Sequence, residues 1–188
     1  QHWSTMLPSK AKAKPTLRGT WVKASTSKLD EFLDRAMGVP WLKRRAALNG
    51  AQTQALAIDD SIGVVKLRMT DLRGTRLYTM RPDGKTYVAR GFMDLPCEQC
   101  VRWGSDGALV MTERYMVHLG GERHLQPCDD ASERPLVRSW RGIDQRGMMA
   151  VRLERTLSSG EVLRMRTLYK RRLVASDAAD APMSAAIS

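Results

Sequence analysis

The sequence predicts an all-β fold: an up-and-down antiparallel barrel of about ten strands, with a short helix-turn-helix inserted after the first strand and an extension at each end. Three observations predict it. From Gln52 onward the chain breaks into short segments rich in β-formers, separated by turn residues at Asp59-Asp60, Asp71 to Gly74, Pro82-Asp83-Gly84, Ser105-Asp106-Gly107 and Ser158-Ser159-Gly160. The only helix-period patterns lie between Leu29 and Leu48. A length of 188 residues with 43% hydrophobic content suits one core and not two.

Strands are expected near residues 17–24, 52–59, 62–70, 74–81, 85–92, 98–104, 108–118, 134–141, 148–157 and 161–170. In the first helix Leu29, Phe32, Leu33 and Ala36 recur at i, i+3, i+4 and i+7. Thr26 or Ser27 is available as its cap, Asp30 and Glu31 occupy its first turn, and Gly38 is its stop. The second helix starts at Pro40, runs through Trp41, Leu42, Ala46 and Leu48, and ends at Asn49-Gly50. Residues 1–15 form a basic arm with Lys10, Lys12 and Lys14; residues 16–172 form the barrel; residues 173–188 form an Ala- and Ser-rich tail.

Charge and cysteine content bound the function. With 31 Lys and Arg against 20 Asp and Glu the net charge is +11, which suits an anionic partner. Three cysteines, an odd number, argue for a reducing, intracellular setting in the cytoplasm or an organelle such as a mitochondrion or plastid. Gln1 to Lys14 lack the apolar middle of a secretory signal, and the start at Gln1 fits either a processed terminus or a fragment. No run of about 18 apolar residues occurs.

Catalysis is not expected. The histidines are His2, His118 and His124, and there is no Gly-x-Ser-x-Gly, no phosphate-cradling glycine loop and no distinctive carboxylate pair. No cofactor is expected either. Cys97-x-x-Cys100 with His124 and Cys128 offers the residue types of a structural zinc site, set against the simpler reading of buried or loop cysteines. Trp21, Trp41, Trp103 and Trp140 beside basic residues could stack on nucleotide bases, but scattered tryptophans serve a barrel core as well, and nucleic acid is not the expected partner. Lys43, Arg44 and Arg45 beside Trp41 and Leu42 suit either an anionic membrane surface or water.

Several segments resemble the fatty-acid-binding-protein branch of the lipocalin-related (calycin) barrels over residues 17–171. They are Gly19-Thr20-Trp21; Leu29-Asp30-Glu31-Phe32 with Met37-Gly38-Val39; Asp106-Gly107-Ala108-Leu109-Val110; Glu133-Arg134-Pro135-Leu136-Val137-Arg138; and Arg166-Thr167-Leu168-Tyr169-Lys170. The resemblance implies a cavity holding a fatty acid or similar apolar anion. Its carboxylate would meet an interior arginine and a tyrosine hydroxyl, for which Arg138, Arg166 and Tyr169 are the candidates. It also implies a lid carrying Leu29, Phe32, Leu33, Trp41 and Leu42. A buried carboxylate does require charge-assisted partners, and a guanidinium supplies two hydrogen bonds at once.

The family spacing of arginine and tyrosine in the last strand is two, whereas here it is three, which sets Arg166 and Tyr169 on opposite faces. Leu163, Met165, Thr167 and Tyr169 form the more apolar set of that strand. In the strand before Arg141, Leu136, Arg138 and Trp140 share a face. The alternative is a barrel filled by Met and Leu side chains, acting as an accessory subunit of a larger complex and anchored through residues 1–15 and 173–188.

Overall fold

The computed structural model describes residues 16–91, 93–121 and 123–172. Ten strands form one sheet: β1 (Gly19–Ser27), β2 (Thr53–Asp59), β3 (Val64–Asp71), β4 (Gly74–Met80), β5 (Asp83–Arg90), β6 (Pro96–Trp103), β7 (Leu109–Tyr115), β8 (Leu136–Ile143), β9 (Met149–Thr156) and β10 (Val162–Arg171). Between β1 and β2 lie α1 (Leu29–Glu31), which widens into a π-helical turn over Phe32–Ala36, and α2 (Trp41–Asn49). The all-β class, the ten antiparallel strands and the helix pair after the first strand are as the sequence predicts.

The strand order is β4-β3-β2-β1-β10-β9-β8-β7-β6-β5, so every neighbour is sequential except β1 and β10. That seam runs from Trp21 opposite Arg171 to Ser27 opposite Arg166, with a bulge between Lys23 and Ser25. The bulge adds local twist and helps the sheet curl. β4 and β5 form its two free edges and are not hydrogen-bonded to each other.

Residues alternate in and out along most strands. On β3, Val65, Leu67 and Met69 are buried while Lys66, Arg68 and Thr70 are exposed; on β10, Leu163, Met165, Thr167 and Tyr169 are the buried set. Trp21 plugs the inside near the seam: its indole N–H donates to the Leu17 carbonyl at 2.9 Å, and the Arg171 guanidinium lies 4.8 Å from its ring centroid.

Helix starts differ from the sequence expectation. Thr26 and Ser27 remain in β1, where their hydroxyls face β10, and the residue before α1 is Lys28 in a left-handed conformation with no side-chain cap. Strand pairing with β10 thus outcompetes capping. Pro40 precedes α2 instead of forming its first turn. Gly38 does end the first helix, at φ +65°, with its N–H bonded to the Asp34 carbonyl at 2.9 Å. A Cβ at Gly38 would come within 2.7 Å of both the Gly120 Cα and the His124 ring. Gly38→Ala is therefore expected to lower stability by about 2 kcal/mol or more, from positive φ and clash together, as measured by urea unfolding.

Candidate functional site

The inward faces of the strands and the underside of the helix pair enclose a cavity of about 650 Å³. Its wall is mostly apolar, with Leu29, Leu33, Met69, Met111, Val151 and Met165 among the residues that touch it. Methionine leaves such a wall deformable, which suits a flexible apolar occupant. The rim is formed by α2 (Lys43, Ala46, Ala47), the β3–β4 turn (Leu72, Arg73) and the β5–β6 connection (Met93, Asp94).

A polar cluster lies inside. Arg141 on β8 is 4% exposed. Its Nε donates to Gln54 Oε1 at 3.4 Å and one terminal nitrogen donates to Ser139 Oγ at 3.5 Å, so both partners are neutral and both bonds are long. Burial pushes the Arg141 guanidinium below its ordinary pKa, opposed by the charges of Tyr169, Glu113 and Tyr78. Gln54 on β2 donates to the Tyr169 hydroxyl at 2.8 Å, and that hydroxyl donates to Gln52 Oε1. On the adjacent strand β7, Glu113 accepts from Tyr115 Oη at 2.7 Å and from Gln99 Nε2 at 3.3 Å.

The sequence candidates divide. Tyr169 points inward and is 2% exposed, at the end of the Gln54–Arg141 network. Arg138 does not: β8 turns Val137, Ser139 and Arg141 inward, leaving Arg138 exposed on the outer surface opposite Glu154. Register decides this, because Val137, Ser139 and Arg141 lie opposite Glu113, Met111 and Leu109 of β7, all inward residues. Leu136 and Trp140, the apolar companions of Arg138, form an outer stripe. Arg166 also faces outward, 3.6 Å from Asp144. An interior head-group contact is thus open to neither Arg138 nor Arg166. Sequence reasoning missed Arg141, Gln52, Gln54, Ser139 and Glu113; the inward face of β8 follows from its register against β7 and β9, which no local pattern records.

In the lid, Leu29, Phe32 and Leu33 are buried, while Trp41 and Leu42 are 58% and 73% exposed on the outer side of α2. Arg44 leaves the expected basic surface and clasps the helices together, pairing with Asp30 at 2.9 Å and with Asp34. Lys23 Nζ donates to the Ala47 and Leu48 carbonyls at 3.3 and 3.2 Å, holding the end of α2 to β1. Cys97, Cys100, His124 and Cys128, weighed as an alternative zinc set, do not come together. Cys97 points into the core whereas Cys100, three places on along β6, turns outward, and His124 Nδ1 accepts the Gly120 N–H at 3.0 Å.

No family model and no curated protein sequence matches the chain significantly. Solved structures do. The REP1-NXSQ fatty acid transporter superposes with a TM-score of 0.64 at 16% identity, covering 84% of this chain and 97% of its own. The fatty acid binding protein of Schistosoma mansoni, in complex with arachidonic acid, gives 0.62 at 15% identity, covering 83% of this chain and 96% of its own. That of Manduca sexta gives 0.58 at 12%, covering 82% and 98%. The chain has the fatty-acid-binding-protein fold. Within this fold the chain sets its interior tyrosine, Tyr169, on the same face as a threonine two places earlier, Thr167, and carries the buried arginine that borders the cavity, Arg141, on β8.

Burial pushes the Tyr169 phenol from its ordinary value near 10 up to about 12. The folded state therefore holds this proton more tightly than the unfolded chain does. The contribution is complete below pH 10 and is lost as pH rises towards 12. The stability advantage of the wild type over Tyr169→Phe is expected to shrink by about 1–2 kcal/mol between about pH 9 and 11, in parallel urea titrations.

Proposed function

We propose that this protein is a non-catalytic carrier that takes an apolar, anionic ligand such as a fatty acid into the barrel, with Arg141 as its head-group partner. One observation carries the reading: a fully buried guanidinium beside an apolar cavity, with only long hydrogen bonds to neutral Gln54 and Ser139. Desolvating that charge without an ion pair is costly, and an entering carboxylate would offset the cost through short, charge-assisted bonds. Tyr169, through Gln54, would orient Arg141. The cavity has the volume of a small-molecule site, with a mostly apolar wall in which Arg141, Gln54 and Ser139 converge and with further charged residues such as Lys43, Arg73 and Asp94 at its rim. The fold neighbours whose names say that they bind or transport fatty acids support the same reading.

Arg141→Met separates binding from folding. Fluorescent fatty acid affinity is expected to fall about ten- to a hundredfold, as charge-assisted bonds are lost. Stability of the empty protein should stay level or rise by about 1 kcal/mol, because a buried charge is removed. Arg138→Met should change neither. Unaltered affinity in Arg141→Met would overturn the reading.

The outer side of α2 suits delivery to an anionic membrane. Trp41 and Leu42 are exposed there with Lys43 and Arg45, Arg45 lies 5.6 Å from the Trp41 ring centroid, and exposed Leu72 neighbours Gly50 at the end of α2. Reversing both charges in Lys43→Glu/Arg45→Glu is expected to slow ligand transfer to anionic vesicles by about tenfold or more, at roughly 1 kcal/mol per surface charge, with transfer to neutral vesicles little changed. Among the described residues no helix is long and apolar enough to cross a membrane. The accessory-subunit alternative rests on residues 1–15 and 173–188, which lie outside the described residues.

A further inference from the structure

Most strand connections are short, but that between β7 and β8 spans residues 116–135. It is not a loose loop. Val117 and Pro127 form a β-bridge, and the backbone closes a small hairpin through His118 N–H to Gln126 O at 2.8 Å, Leu125 N–H to His118 O at 2.8 Å and Cys128 N–H to Met116 O at 2.9 Å. Arg155, buried on β9, anchors it by donating to the Leu119 carbonyl at 2.9 Å. After the hairpin an Asp130 turn, with Oδ1 accepting the Ser132 N–H at 2.8 Å, sends the chain back towards β8. These backbone constraints bring His118, Cys128 and Glu133 together: one imidazole nitrogen, the thiol sulfur and one carboxylate oxygen all lie within 4.8 Å of one another.

We propose that this cluster is a binding site for a zinc-class divalent cation, with His118, Cys128 and Glu133 as its ligands. Imidazole, thiolate and carboxylate are the three side-chain types that zinc accepts, and a thiolate among them disfavours magnesium and calcium. A tetrahedral zinc with bonds of about 2.0–2.3 Å holds its ligand atoms about 3.3–3.8 Å apart, so the cluster closes on the ion by an ångström or so of side-chain movement. Binding replaces the thiol proton of Cys128, which passes to solvent. The interactions given up are weak: a 3.4 Å contact of the Cys128 thiol with the Asp130 carbonyl, and a 3.5 Å pair of Glu133 with Arg123 in which both side chains are well exposed. A water fills the fourth position on the exposed Glu133 side. The site is independent of the cavity chemistry. It ties together a connection whose Gly120 packs against Gly38 at the end of the first helix, so an occupied site braces the base of the lid.

Cobalt(II) titration of the tag-free full-length protein tests the assignment. Expected is one cobalt per chain with a thiolate-to-cobalt charge-transfer band, displaced by zinc, abolished in Cys128→Ser and retained in Cys100→Ser. His118→Gln and Glu133→Gln, at less buried positions, should weaken binding by at least the roughly ten- to hundredfold that even the outer partners of metal ligands command. Zinc should also raise the melting temperature of the wild type and not of Cys128→Ser. No stoichiometric band in the wild type, a band that survives Cys128→Ser, or wild-type affinity in both the His118 and Glu133 variants would each overturn it.

Discussion

The pairing of the first strand with the last is the constraint from which the remaining geometry follows. A meander of ten strands with short connections would otherwise be an open, twisted sheet with β1 and β10 as distant edges. Joining them rolls the sheet and gives it an inside, and it moves the free edges to β4 and β5, which are neighbours in sequence. The seam also brings β2 and β10 close enough for Gln54 to reach Tyr169, and β8 into reach of Gln54 through Arg141. A network drawn from residues 52, 54, 139, 141 and 169 exists only because residues 19–27 and 162–171 found each other.

Inside that enclosure Arg141 is buried, with hydrogen bonds, among the described residues, only to neutral side chains. Folding alone would favour an apolar residue at position 141, and local pairing does not rescue the choice, since the nearest partners are an amide and a hydroxyl. The cost of burying such a group is what the proposed anionic ligand would offset. The outward arginines behave differently. Arg164 meets Glu154 at 2.7 Å and Arg166 meets Asp144, both at the surface, where such pairs contribute little to stability.

The helix pair shows how the same residue types take different roles by position. Of the three consecutive basic residues in α2, Arg44 turns back to the acidic side chains of the first helix and closes the lid on itself, while Lys43 and Arg45 stay outward beside Trp41. The β7–β8 connection reinforces this from the other side. Its Gly120 and the lid's Gly38 meet so closely that a side chain at Gly38 would force one of them to move.

By itself the amino-acid order determined the class, the strand count and the insertion of two helices after the first strand, because turn residues and hydrophobic period act locally and survive translation into structure. It also marked the inward set of the last strand, Leu163, Met165, Thr167 and Tyr169, since apolar side chains dominate that face. It could not decide β8, where Leu136-Arg138-Trp140 and Val137-Ser139-Arg141 read as equally plausible inner faces and only the register against β7 and β9 tells them apart. Nor could it group the cysteines: spacing joined Cys97 to Cys100, which the pleat of β6 separates, and passed over His118 and Glu133, which a folded hairpin brings to Cys128. Tertiary structure alone decided those questions, because which side chains face one another across a barrel depends on pairings between strands that no local pattern records.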